Sequence, residues 1–139
     1  MTKMLFVNLP VRDLAASTRF YEAIGCERNP QFSNEKASSM VFSDQIFFQL
    51  LTHEFYSTFI TRPITDPRTS SAALYAIARD SREDVDAIVE AAIRAGGKGD
   101  IRPVQDMGFM YGRTFEDPDG NVFEPVYMDM SAMPAEEPA

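Results

Sequence analysis

Arg113 and Glu124 are the pair of side chains in this sequence best suited to do chemistry. They flank Asp117-Pro118-Asp119-Gly120, in which Pro presets φ, Asp closes an Asx turn and Gly takes a positive φ, so residues 111–128 are expected to form a tight hairpin. With Glu116 paired to Asn121, Arg113 stands opposite Glu124 on the face that carries Val122 and Val126. A guanidinium and a carboxylate on a covered apolar face must pair, bind a metal or bind a ligand. As a site, Arg113 would hold a carboxylate or phosphate, and Glu124 would accept a proton if desolvation raised its pKa. As structure, the two form an ion pair. Both readings stand on the sequence alone.

The elements that would position them repeat. Residues 4–10 alternate as a strand, with Phe6 and Asn8 on one face and Val7 and Leu9 on the other. Asp13 fits a helix N-cap, and Leu14, Phe20, Tyr21 and Ile24 lie on one stripe of a helix that ends before Gly25. Residues 26–32, 37–42 and 46–51 read as three more strands. The segment 53–72 breaks the pattern with Pro, Ser and Thr around Phe55, Tyr56, Phe59 and Ile60. It reads as a crossover whose aromatics either cover a cavity mouth or clamp the loop onto the domain. A strand over 74–79, a cap at Asp80 or Ser81, a helix through Val85, Ile88, Val89, Ala92 and Ile93, and a strand or irregular segment over 100–106 lead back to the hairpin. The chain is thus expected to be α+β, two βαβββ modules over about 4–52 and 73–128 sharing one open cup of curved sheet, with 131–139 a flexible tail.

Composition narrows the function classes. A net charge of −8 with no basic run argues against a nucleic-acid or anionic-membrane surface. No apolar run is long enough to span a bilayer and the N-terminus does not read as a signal peptide, so a soluble protein is expected. Cys26 is the only cysteine, which excludes an intrachain disulfide and points to a cytoplasmic setting. Cys26 itself reads as buried packing.

The hairpin turn DPDGN, followed by a short strand with Glu124 four residues after Gly120, resembles the C-terminal signature of the vicinal oxygen chelate superfamily. That superfamily includes glyoxalase I, bleomycin-resistance proteins and extradiol dioxygenases. The opening FVNLPVRDLAASTRFYEAIG is similar to the start of the same superfamily, and the closest pattern is a branch called predicted lactoylglutathione lyases. The resemblance implies a glyoxalase-like fold, often paired as a homodimer. It also implies four metal-ligand positions, commonly His, Glu, His and Glu, which fall here on Phe6, Gln49, Leu74 and Glu124, with Ala73 replacing Leu74 if that strand slips by one. Neither Leu nor Ala nor Phe donates to a metal, so no metal and no other cofactor is expected. His53, the only His, falls at the rim of the strand carrying Gln49.

The residues expected to face the cup are Phe6, Asn8, Phe47, Gln49, Tyr111, Arg113 and Glu124, with Met107, Phe109 and Met110 in a nearby loop serving as core or as pocket wall. An apolar cup with a few convergent polar groups suits a small molecule. Three readings follow. The first is metal-free binding of a small planar or acidic molecule. The second is a lyase or isomerase with Glu124 as catalytic base. The third is a non-catalytic regulatory or partner subunit.

Overall fold

The structure is a computed structural model and describes residues 3–132. Strand β1 (Leu5–Val11) leads to helix α1 (Leu14–Ala23), capped by Asp13 through a 3.0 Å bond from the Ala16 N–H. Strands β2 (Glu27–Asn29), β3 (Ala37–Val41) and β4 (Ile46–Thr52) complete a sheet of order β1-β4-β3-β2, in which β1 and β4 run parallel. The sequence predicts a longer β2, reaching residue 32. Pro30 ends it, because a fixed φ and a missing N–H suit the start of a 3-10 turn, and Pro30–Phe32 forms one with Asn29 as its cap.

Helix α2 (His53–Ser57) opens the crossover, and β5 (Leu74–Ala78) and α3 (Arg82–Arg94) begin the second module. Short strands β6 (Lys98–Gly99), β7 (Gln105–Asp106), β8 (Met110–Gly112) and β9 (Phe115–Glu116) then precede β10 (Val122–Met128). The second sheet repeats the first: β5 runs parallel to β10, which pairs antiparallel with β8 and β9, and these pair with β7 and β6. Residues 100–106 open on Asp100 at φ +53°, directly after β6, and only Gln105–Asp106 of the expected segment pairs as a strand, β7. Expected flexibility at 131–139 concerns residues that lie, beyond Ala132, outside the described ones.

The hairpin register corrects the sequence reading. Asp117 pairs with Asn121 and Glu116 with Val122, so the loop is the three residues Pro118-Asp119-Gly120 rather than four. Gly120 takes φ +100°, as the last position of such a loop requires. A slip of one residue moves a side chain to the opposite face. Phe115 faces Phe123 and Gly112 faces Val126, which leaves Arg113 against Pro125 instead of Glu124. Pro125 has no N–H to return, and the ladder is interrupted there between β8 and β9.

The core lies where α1 and α3 pack against the two sheets, and it is largely aromatic. Phe20 and Tyr21 of α1, Phe48 of β4, Phe115 of β9 and Phe123 of β10 are buried together, with the Phe115 and Phe123 rings stacked at 5.1 Å. Cys26 is buried in the same core, which pushes its thiol up to about 12 and leaves it unreactive. The DPDGN turn is tied to the first module by polar contacts. Asp117 accepts from the Tyr21 hydroxyl at 2.7 Å, and Asp119 accepts from the Arg12 backbone N–H at 3.0 Å and from the Ser17 hydroxyl at 3.4 Å. No helix among the described residues is long and apolar enough to cross a membrane.

Candidate functional site

The seven side chains expected in one cup separate into three groups. Phe6 and Phe47 are cross-strand partners on the open face of the first sheet, their rings stacked at 4.6 Å, and Asn8 and Gln49 are the next pair along that face. Glu124 lies on the open face of the second sheet, beside Ala76 of β5. Tyr111 and Arg113 point the other way, onto α3. The Tyr111 hydroxyl donates to Asp86 at 2.6 Å, which raises its pKa. Arg113 donates to Asp100 at 2.9 and 3.0 Å, to Asp86 at 3.1 Å and to Glu90 at 3.4 Å, and its pKa is held far above the ordinary range. It also holds the Asp100 carboxyl below its usual value. Arg113 is thus the centre of a structural cluster of carboxylates.

The partner of Glu124 is Arg102, whose Nη2 forms an ion pair with it and also reaches Gln105 Oε1 at 3.5 Å. Arg102 sits in the exposed segment between β6 and β7, pinned on either side by Asp100 on Arg113 and by Asp106 on Arg82 at 2.7 and 2.8 Å. Sequence reasoning missed Arg102, because a lone cation in Ile101-Arg102-Pro103-Val104 gives no periodic signal. Met107 is exposed in the same excursion, while Phe109 and Met110 are half-buried.

The four positions that the resemblance gives to metal ligands hold Phe6, Gln49, Leu74 and Glu124 here. The Phe6 ring is stacked on Phe47, Leu74 is 64% exposed with only methyl groups to offer, and the Glu124 carboxylate is engaged by Arg102. Among the described residues no three His, Cys, Asp or Glu side chains gather closely enough to hold an ion. His53 starts α2.

A half-open hollow lies elsewhere, under the crossover. Thr52 caps α2 through the Phe55 N–H at 3.2 Å, and the chain continues over β1 with Phe55 and Phe59 in edge contact at 5.0 Å. It turns at Asp66, whose carboxylate accepts from the Arg68 N–H and pairs with Arg12 at 3.2 Å. Arg68 Nη2 then donates to the Pro118 carbonyl at 2.8 Å, so the crossover is fastened to the DPDGN turn. Between this strap, β1 and the start of β5 lies a cavity of about 480 Å³. Its walls include Asn8, Pro10, Tyr56, Phe59, Arg62, Ile64, Ser70, Ala73, Tyr75 and Asn121. A second cavity of about 390 Å³ adjoins it, bounded by Asn8, Leu51, Tyr56, Phe59 and Ile60. Asn8 is the one expected site residue that lines either space. The aromatics of the crossover do both things that their sequence allowed: they pack the strap and they wall the cavity. Arg62 and Asn121 were not singled out by sequence reasoning, since an isolated Arg in a loop and a turn Asn are ordinary residues there.

Residues 3–124 match the sequence model of a family described as the Glyoxalase/Bleomycin resistance protein/Dioxygenase superfamily. No curated protein matches significantly. Solved structures do. A hypothetical protein from S. aureus is 23% identical, with 91% of this chain and 94% of that one covered at a TM-score of 0.75. A glyoxalase/bleomycin resistance protein/dioxygenase family enzyme from Burkholderia phytofirmans PsJN is 22% identical, with coverages of 91% and 99% and a TM-score of 0.72. The fosfomycin resistance protein FosX from Mesorhizobium loti is 17% identical, with coverages of 94% and 96% and a TM-score of 0.67. At these identities the similarity is one of fold.

Proposed function

Because the chain belongs to the glyoxalase/bleomycin resistance protein/dioxygenase superfamily, yet carries Phe6 and Leu74 where a metal would need donors, we propose that it binds a small planar or acidic molecule without a metal. The observation that carries this reading is the cavity of about 480 Å³ under the crossover, with aromatic walls and a few hydroxyl and amide groups. A volume of several hundred Å³ lined in this way is what small-molecule sites have in common. The open sheet face reaches it at Asn8, so the place differs from the middle of the cup while the class of ligand is the same.

Binding is favoured over lyase chemistry by the surroundings of Glu124. A general base needs an oxygen free to take a substrate proton, and Arg102 holds one of the two oxygens of this carboxylate. Purified protein is therefore expected to carry no stoichiometric Ni, Zn, Mn or Fe. Adding those ions is expected to produce no measurable turnover of the methylglyoxal–glutathione hemithioacetal. Elemental analysis and a spectrophotometric lyase assay check both points. Metal-stimulated turnover, or a stoichiometric ion that is lost in Glu124→Ala, would defeat the metal-free reading.

A further inference from the structure

We propose that the crossover cavity selects a monoanion with an apolar body, anchored by Arg62 in the larger chamber and stacked toward Tyr56 and Phe59 in the smaller one. This rests on the metal-free binding reading above and adds the charge and orientation of the ligand.

Three observations carry it. The chain has an excess of acidic residues and a net charge of −8, yet no Asp or Glu lines either chamber. Arg62 is the one charged side chain among the lining residues, and among the described residues it has no hydrogen bond to a carboxylate and no ion pair. Arg12, Arg82, Arg102 and Arg113, by contrast, are all spent on carboxylates. Arg62 is exposed, and an unpaired guanidinium at the edge of a pocket lined by no carboxylate favours an anion and disfavours a cation, while its fork suits the two oxygens of a carboxylate. The two chambers also differ in character. Arg62 belongs only to the larger, whereas the smaller is bounded by Leu51 together with Asn8, Tyr56, Phe59 and Ile60, which the two chambers share. Charge at one end and aromatic and aliphatic wall at the other describe an amphiphile.

The experiment is a calorimetric titration of the whole protein with 1-naphthoate and its uncharged isostere 1-naphthamide, in the parent and in Arg62→Gln. The expected result is a preference for naphthoate of about tenfold or more in the parent at low salt, as for a charge-assisted bond at a partly exposed site. That preference weakens as salt is added. In Arg62→Gln it falls to within about twofold, with an unchanged melting temperature reporting that the variant is folded. If both compounds bind equally well to the parent, the cavity remains a site and anion selection is overturned. If the preference survives in Arg62→Gln, Arg62 is not the anchor and the proposal fails. If neither compound binds, the reading of the cavity as a site fails, and the proposal fails with it.

Discussion

Phe123→Ala is expected to lower the free energy of unfolding by about 3–5 kcal/mol, the usual cost of emptying an aromatic core position. Phe123 is fully buried, and its ring is within 5.1–6.1 Å of the rings of Phe115, Tyr75, Phe48 and Tyr21. Those neighbours come from both modules. The vacancy therefore loosens the joint between them, and no single strand can move to fill it without losing its other contacts. Urea unfolding should remain one transition with a lower midpoint. Phe59→Ala, at 67% exposure on the crossover, should shift stability by only about 0.5 kcal/mol or less. Two separate transitions in the parent, or a loss below about 1 kcal/mol for Phe123→Ala, would mean that the modules do not share this core.

Asp117→Ala is expected to cost about the same, 3–5 kcal/mol, through hydrogen bonds rather than volume. The carboxylate accepts from the Tyr21 hydroxyl, from the backbone N–H groups of Asp119 and Asn121, and from the Asn121 side-chain amide, at 2.7–3.0 Å. Removing it leaves the Tyr21 hydroxyl without its partner in the aromatic core, while the turn N–H groups can partly rehydrate. The pH dependence separates this role from simple packing. Burial raises the Asp117 pKa above 3.8 by more than the donors from Asn121 and Tyr21 lower it. A folded-state pKa raised above the unfolded one gives a contribution that is fully present below the unfolded value and is lost as pH climbs through the folded one. The Asp117→Asn amide does not titrate, so the stability gap between parent and Asp117→Asn should narrow as pH rises from about 4. A gap that is constant or widens with pH would contradict the assignment.

The contrast between what residue pattern did and did not disclose has physical causes. The Asp13 cap, the apolar stripe of α3 and the two returns of βαβββ were legible because each depends on periodicity or on a local turn rule. The hairpin register was not, because DPDGN is compatible with loops of three or four residues. The choice is made by the Asp117–Asn121 pairing and by contacts of Asp119 with Arg12 and Ser17, more than a hundred residues away in the chain. That one-residue difference moved Arg113 out of the cup and onto Asp86, Glu90 and Asp100. It also left Glu124 to Arg102, a partner that no spacing rule pointed to. The cavity under residues 53–72 was half legible. A segment with two prolines around the cluster Phe55, Tyr56, Phe59 and Ile60 announces a packed strap, but which of its side chains look inward depends on where the Arg68–Pro118 contact fastens it.

Whether this member of the superfamily takes its ligand in the crossover cavity without a metal is decided by calorimetric titration of EDTA-treated protein with 1-naphthoate, repeated after Zn2+ or Ni2+ is added. Saturable binding with the same Kd in both states is expected, abolished in Ala73→Trp, whose indole takes up space that Ala73 borders. Saturation that appears only with the metal present, or binding that survives unchanged in Ala73→Trp, would contradict that expectation.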